Sequence, residues 1–450
     1  MRGQGFIAAL ALLAACGGEG PSPVGLPSGG GKSAMRLFQG GPVAPALRPN
    51  AEMVQDYLDL AFRLESGREV PVMTRFEGPI TLSLAGPVPP TAPRDLAQLL
   101  ARLRAEAGID IAQVPAGGRI TVEFLPRRTM QAVVPQAACF VVPNVGSWSE
   151  YRRARRSDRV DWARIERRDS AAVFIPADIA PQEIRDCLHE ELAQALGPLN
   201  DLYRLPDSVF NDDNFQGVLT GFDMLMLRVH YAPELANGLT AGAAAAAVPG
   251  ILARLNPAGG GGYAPPDETP RAWIDAIERA LSRGSDPARH AAAARAVAIA
   301  EAQGWSDGRA GFAYFSLGRL TLADNLDAGA AALDRAAAIY AARGMATALA
   351  HVDLYRAGLA LRAGRPDAAL AHADMAIPAA EASQNAALLS SLLAMKAAAL
   401  DLLGDKAAAE RLRLDSAAWA GYGFGAGAGE RMRDIAELAP DVSRRWGTEE

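Results

Sequence analysis

The sequence is poor in cysteine and has no excess of positive charge. With three cysteines among 450 residues, the chain is not a small fold held together by disulfides. Its formal net charge of -6 argues against nucleic acid as a partner, although Arg152, Arg153, Arg155 and Arg156 form a local basic run. Such a run is more typical of a solvated helix face. Half of the residues are hydrophobic, which gives room for two or three domains.

The N-terminus also lacks a hydrophobic run long enough to span a membrane. The apolar stretch over residues 6–15 follows Arg2 and is typical of a cleaved export signal. Residues 13–16, Leu-Ala-Ala-Cys, resemble a bacterial lipobox, which implies that Cys16 carries a diacylglyceryl group and becomes the mature N-terminus. Gly17 follows Cys16, which resembles the lipoproteins that are sorted to the outer membrane. We therefore expect a lipid anchor in the outer membrane and a protein that faces the periplasm. The alternative is a plain secretory signal with a chance cysteine.

Composition divides the rest of the chain into a tether, two folded regions and a linker. Residues 17–50 are rich in Gly, Pro and Ser, contain few large apolar residues, and therefore predict a disordered tether. Four glycines and two prolines within residues 259–266 interrupt both helix and strand and mark a boundary. The predicted order is a lipoprotein signal peptide over 1–16, the tether over 17–50, a mixed domain over 51–250, a Gly/Pro linker over 251–270, a helical repeat domain over 271–423 and a tail over 424–450.

Strand and helix patterns alternate in the first folded region, which predicts an α+β or α/β domain. A long helix is predicted to begin at Ala180 and Pro181, since Pro and acidic residues favour the first turn, and to end at Gly197-Pro198. The predicted strands cover 79–84, 120–124, 139–142 and 171–175, and the other predicted helices cover 51–64 and 95–107.

The second folded region is an Ala- and Leu-rich helical repeat. Residues 363–369 match residues 403–409 at a shift of 40, and residues 324–328 lie one period further upstream. Each unit is a helix, a tight turn and a second helix, which resembles the tetratricopeptide-type repeat with a longer period. Stacked helix pairs form extended binding surfaces, so we expect protein partners here. An Ala-rich bundle without superhelical order is the alternative.

Residues 189–201, His-Glu-Glu-Leu-Ala-Gln-Ala-Leu-Gly-Pro-Leu-Asn-Asp, have the spacing of a zinc-peptidase helix with different ligands. In the signature HExxHxxGxxH, two His four residues apart bind zinc and the Glu between them activates water. A match that starts at His189 fails because Ala193 stands where the second His is needed. A match that starts at Glu190 keeps the spacing, with Gln194 in place of the second His.

The second match defines the candidate site. Glu191 then takes the place of the general base, Gly197 lies at the turn, and Asn200 or Asp201 takes the place of the third ligand. This set is rich in oxygen and weak for zinc, so zinc or another divalent metal is a possible cofactor rather than a certain one. The candidate metal ligands are Glu190, Gln194, Asn200, Asp201 and His189.

Further segments carry a family resemblance. These are residues 75–80, Cys187, residues 211–214 and residues 219–234, of which the last looks like the helix that follows the site in secreted bacterial zincins. With them, residues 51–240 resemble a family of exported bacterial proteins of unknown function (domain of unknown function 2927), related to zincin and metzincin metallopeptidases. The resemblance implies a zincin-like α+β domain with an altered site. Together with the repeat, the predicted fold is this domain followed by an all-α tetratricopeptide-like repeat domain.

If Cys16 is lipidated, Cys139 and Cys187 remain as an even pair in an oxidising compartment. A disulfide between them is predicted, because such compartments favour its formation. It would fix the start of the helix that carries the motif. Two buried free thiols are the alternative.

The combined features predict an interaction protein. We expect a lipoprotein of the outer membrane whose first domain is a degenerate peptidase, or pseudoenzyme, and whose repeat domain binds proteins. The alternative is an active metal-dependent peptidase in which Glu191 is the general base.

Overall fold

The computed structural model describes residues 35–39, 45–46, 48–135, 137–213, 215–262, 268–282 and 284–436. The predicted signal peptide with Cys16 and most of the predicted tether lie outside these residues. The chain divides into two compact units at the step from Thr269 to Pro270, and residues 35–39 belong with the second unit. None of the helices in the described ranges is both long and apolar enough to cross a membrane.

The first unit is an α/β region built on a five-stranded mixed sheet. Its strand order is β2-β1-β3-β5-β4, in which β4 is antiparallel to β5 and the other neighbours are parallel. The four predicted strands are confirmed to within one or two residues. Strand β2 was not predicted because it has three residues, of which Ile111 alone is buried. The strands are β1 (Ile80–Ala85), β2 (Ile111–Gln113), β3 (Ile120–Leu125), β4 (Phe140–Pro143) and β5 (Ala171–Pro176).

Seven α-helices of the described residues accompany this sheet. The predicted helix that carries the motif is confirmed: it begins at Pro181, where the Glu183 side chain accepts a hydrogen bond from the Ala180 N–H at 3.0 Å, and ends at Leu196. It packs against strands β4 and β5, and all six residues of β5 are buried. The helices are α1 (Asn50–Phe62), α2 (Ala92–Glu106), α3 (Arg127–Gln131), α4 (Trp148–Ala154), α5 (Pro181–Leu196), α6 (Gly221–His230) and α7 (Ala241–Leu255).

Helix α7 extends five residues into the predicted linker. Ile251 and Leu252 are buried in the core of the first unit, and α7 packs against α1. The apolar side chains of this last helical turn therefore hold it in the first unit, and Gly/Pro composition begins to dominate only beyond it.

The second unit is a stack of antiparallel helices, and its period confirms the repeat. The second helices of three successive pairs begin at Leu326, Pro366 and Lys406, so each pair follows the last by 40 residues. A further pair, α8 and α9, precedes the three repeats found in the sequence. The helices are α8 (Arg271–Leu281), α9 (Asp286–Ala302), α10 (Gly308–Thr321), α11 (Leu326–Ala342), α12 (Ala346–Arg362), α13 (Pro366–Ala382), α14 (Ala386–Leu402), α15 (Lys406–Phe424) and α16 (Ala428–Ala436).

Short polar residues set the turns of the stack. Asn325, Asn385 and Asp405 each accept a hydrogen bond from the backbone N–H three residues on, which caps the following helix. Gly344 and Gly404 lie in the turns before α12 and α15 with φ of 66° and 93°, a left-handed conformation that Gly adopts without a steric penalty. Predicted tail residues form α16, so the helical unit continues past residue 423.

Candidate functional site

The last turns of α5 bring most of the predicted site residues together. Glu191 and Gln194 are buried on this helix, and Glu190 is partly buried beside them. Asp201 follows in the next loop, where its Oδ2 accepts a hydrogen bond of 3.1 Å from Nε2 of Gln194. The helix and the chain beyond its turn thus meet through these two side chains.

Two carboxyls from distant segments complete an acidic cluster. Glu65 comes from the chain that follows α1 and is hydrogen-bonded to Asp201, and Asp212 comes from the loop between α5 and α6. We call Glu65, Glu190, Glu191, Asp201 and Asp212 the acidic cluster. The motif gives no signal for Glu65, which lies more than 120 residues upstream in a stretch without a pattern of its own, whereas Asp212 lies in a polar stretch already associated with the family resemblance.

Ionising all the carboxyls of the cluster together is electrostatically unfavourable. Burial raises the pKa of Glu190, Glu191 and Asp201 well above the ordinary range, and repulsion from neighbouring carboxyls raises it further. Burial, followed by the charge of Asp212, raises the pKa of Glu65 to about 8. Within the described residues, no Lys or Arg forms an ion pair with any of these four side chains.

One oxygen atom of the cluster is buried without a hydrogen-bond partner in the part of the chain that the structure describes. It is Oε2 of Glu191, a residue with only 4% of its surface exposed. Buried polar atoms nearly always have partners, and exceptions concentrate where a protein binds or reacts. Glu191 therefore marks this cluster as the candidate site.

A hydrogen bond prevents His189 from acting as a metal ligand. Its Nδ1 accepts the backbone N–H of Leu219 at 3.1 Å, so the neutral ring carries its proton on Nε2 and has no free nitrogen lone pair. Burial, followed by the charges of Arg185 and Arg102, lowers the pKa of His189 well below its ordinary value. In this arrangement His189 offers no free lone pair to a metal.

The His230 ring and the amide nitrogen of Asn200 also make hydrogen bonds to other segments. The His230 Nε2 lies 3.2 Å from the Thr74 carbonyl oxygen, which can only accept, so Nδ1 accepts from the Tyr57 hydroxyl at 3.1 Å. Asn200 donates from Nδ2 to the Asp59 carbonyl oxygen at 2.9 Å. The structure thus brings together Glu190, Glu191, Gln194 and Asp201, and commits the imidazoles to structural bonds.

Zinc does not fit this donor set. The side chains that meet offer oxygen, whereas catalytic zinc takes at least one His or Cys in its usual sites. Among the residues that the structure describes, no group of three or more His, Cys, Asp or Glu is arranged to hold a metal ion. The donor atoms of the cluster therefore give no basis for a zinc-dependent reaction step.

This cluster lies wholly within one family match. Residues 50–250 match the family described as protein of unknown function (DUF2927). The match covers the sheet, helix α5 and all five carboxyls of the cluster, so we call this region the DUF2927 domain. No curated protein and no solved structure matches the chain.

Gly197 of the DUF2927 domain is required by packing and not only by the turn. A Cβ atom at this position would lie 2.8 Å from Cδ2 of the His230 ring, closer than real contacts allow. The glycine at the turn of the motif thus makes room for an imidazole that is itself fixed by Tyr57 and Thr74. Its presence in the sequence has a steric reason without any metal.

The predicted disulfide is confirmed in the DUF2927 domain. Cys139 and Cys187 are joined with an S–S distance of 2.10 Å and a Cα–Cα distance of 6.0 Å, and both residues are buried. The bond ties the residue before β4 to the middle of α5, two residues before His189. It therefore holds the site helix against the edge of the sheet.

We expect Glu65→Gln to stabilise the protein at alkaline pH. The unfolded chain releases the Glu65 proton near pH 4.5, whereas the folded protein keeps it to about pH 8, so wild-type stability falls as pH rises through this window. Glutamine removes this penalty. At about 1.4 kcal/mol per pKa unit, reduced because the side chain is partly exposed, the gain at pH 8 is on the order of 2 kcal/mol.

Thermal and urea unfolding at pH 5 and pH 8 measure this effect. The gain should be present at pH 8 and small at pH 5. Glu69→Gln, at an exposed position nearby, is the matched control and should change little at either pH. An equal gain at both pH values would show that Glu65 does not hold its proton in the folded state.

Proposed function

We propose that the protein is a lipid-anchored binding protein whose DUF2927 domain is a zincin-like domain without zinc-peptidase activity. The observation that carries this proposal is the bond between His189 Nδ1 and the Leu219 N–H. It leaves His189, the neighbour of Glu190 in the sequence, without a free nitrogen lone pair. Glu190 and Gln194 meanwhile stand at the two positions where the peptidase helix carries its zinc-binding His.

The repeat domain supplies the binding function in this proposal. Its helix pairs follow one another at a 40-residue spacing and pack in sequence order, as in proteins that present extended surfaces to partners. Such stacks provide contact area and carry no chemistry of their own. The partner class we propose is protein.

The anchor rests on the lipobox-like residues 13–16, which lie outside the described residues. We propose that lipid on Cys16 holds the protein at the outer membrane, facing the periplasm. Cys16→Ala should move the protein from the membrane fraction to the soluble periplasmic fraction, or leave it with an uncleaved signal. A processed variant that still sediments fully with membranes would refute the lipid anchor.

Glu191 favours a second candidate function, a metal-dependent peptidase. Its buried, unpartnered Oε2 and raised pKa are features that a general base shares. Glu190, Gln194 and Asp201, possible oxygen ligands, lie beside it. This function requires the cluster to close around a cation.

Metal analysis separates the two functions. We expect the purified chain from residue 17 onward, prepared without chelator, to hold no stoichiometric metal, and its melting temperature to change by less than about 1 °C with EDTA. Stoichiometric metal with a chelator-induced loss of several degrees would contradict the first proposal. In that event Glu191→Gln should abolish peptide cleavage and retain the metal, with Glu183→Gln, a capping residue of the same helix, as the control.

A further inference from the structure

A short extended segment lies along the last long helix of the repeat domain. The backbone N–H of Arg36 donates to the carbonyl oxygen of Ala418 at 2.9 Å, and its guanidinium lies 3.1 Å from Asp415. The ring of Phe38 stacks on Trp419 with a centroid distance of 4.4 Å and an interplanar angle of 28°. We call residues 35–39 the bound segment.

The contacted residues form one face of helix α15. Positions 415, 418 and 419 are three and four residues apart, and residues with this spacing lie side by side on a helix. In the earlier repeats this second helix of a pair packs against the next pair, as α11 does on α12 and α13 on α14. Helix α15 is the last helix of the paired stack and is followed by a short 3-10 turn (Gly425–Gly427) and the nine-residue α16.

The contacts combine three kinds of recognition. A backbone hydrogen bond selects an extended chain, Asp415 selects a cation, and the Trp419 ring selects an aromatic side chain two residues further on. The ion pair is half-exposed on both sides, with side-chain exposures of 51% and 43%. Exposed pairs hold weakly, so this contact can open and close.

We propose that this face of α15 is a peptide-binding site for an extended segment with the pattern Arg-x-Phe, and that the bound segment occupies it within the same chain. The inference deepens the proposed function, since it rests on the repeat domain being a binding domain and names the partner chemistry. Because the bound segment lies within the predicted tether over residues 17–50, a partner peptide must displace this part of the tether to bind. The site thus couples partner binding to release of the tether.

Binding of a free peptide tests this site in the otherwise complete chain. The probe is a fluorescein-labelled peptide with the sequence of residues 33–41, Ser-Ala-Met-Arg-Leu-Phe-Gln-Gly-Gly, followed by anisotropy against the chain from residue 17 onward. The double substitution Arg36→Ala and Phe38→Ala should empty the site. We expect this chain to bind the peptide at least tenfold more tightly than wild type, in which the segment competes.

Charge reversal at Asp415 tests whether the peptide binds this face of α15. Adding Asp415→Lys to the emptied chain should reduce peptide affinity at least tenfold, and a peptide with Asp in place of its Arg should recover part of it. Glu410→Lys on the same helix is the matched control and should leave affinity unchanged. Circular dichroism verifies that each variant is folded.

Two results would overturn the proposal. One is equal peptide affinity for the wild-type and emptied chains; the other is a folded emptied chain that binds no peptide, which would make the bound segment a fixed cap of the stack. Neither result depends on finding a partner. Failure to find protein partners for the whole chain would refute the proposed function and leave the peptide measurements intact.

Discussion

Arg168→Met is expected to destabilise the DUF2927 domain by about 3–5 kcal/mol, because it removes the buried cation that caps helix α5. Arg168 is 2% exposed, and its Nη1 donates to the carbonyl oxygens of Gln194 and Ala195, each at 2.6 Å. Its Nη2 donates to the carbonyl oxygen of Gly197 at 2.6 Å. These carbonyls lie at the end of the helix, where its dipole is negative and no further helical N–H can reach them.

Burial lowers the pKa of Arg168 to about 10, yet the side chain stays charged at neutral pH. Methionine would fill much of the volume and leave three buried carbonyls without this donor. Urea unfolding followed by circular dichroism measures the loss. The neighbouring Arg167→Met is the control and should change stability by less than about 0.5 kcal/mol, since Arg167 is exposed and pairs with Asp169 at the surface. Equal stabilities of the two variants would show that Arg168 is dispensable to the helix end.

Reduction of the Cys139–Cys187 bond is expected to cost about 4 kcal/mol of unfolding free energy. The bond closes a loop of 48 residues, and in the chain-entropy model this restricts the unfolded ensemble by that amount. The effect also reaches the site, because Cys187 is on α5 two residues before His189. We expect a lower urea midpoint for wild type in reducing buffer than in oxidising buffer.

The double variant Cys139→Ala and Cys187→Ala isolates the bond from the reductant. Its midpoint should be low in both buffers and unaffected by dithiothreitol. A midpoint in wild type that does not respond to reductant, with loss of the disulfide verified by mass, would contradict the entropic contribution. Wild type and variant together separate the bond from the packing of the two side chains.

The acidic cluster destabilises the fold at neutral pH, whereas the cap on helix α5 stabilises it. The cluster gathers buried carboxyls with raised pKa values, which is unfavourable at neutral pH, whereas Arg168 and the disulfide hold the same helix in place. Proteins commonly retain such a cost where a site needs it. The retained cost of these carboxyls adds to the unpartnered Oε2 of Glu191 as support for a candidate site at Glu191.

Local patterns predicted much of this fold. The strands near Ile120 and Ala171, the start of α5 at Pro181 and the 40-residue repeat follow from apolar periodicity, proline preference and recurrence, which are properties of neighbouring residues. The family resemblance is confirmed over residues 50–250, and the zincin relationship remains a proposal. Strand β2 escaped prediction because three residues are too few to show a period.

The sequence by itself determined the spacing of the motif, the pair of cysteines and the order of the two folded regions. Tertiary structure alone decided what the motif residues face. It brought Glu65 and Asp212 to Glu190 and Glu191, and it committed the His189 lone pair to Leu219. Spacing along one helix is a local property. The partner of a hydrogen bond and the charges that surround a carboxyl depend on segments that meet only when the chain folds.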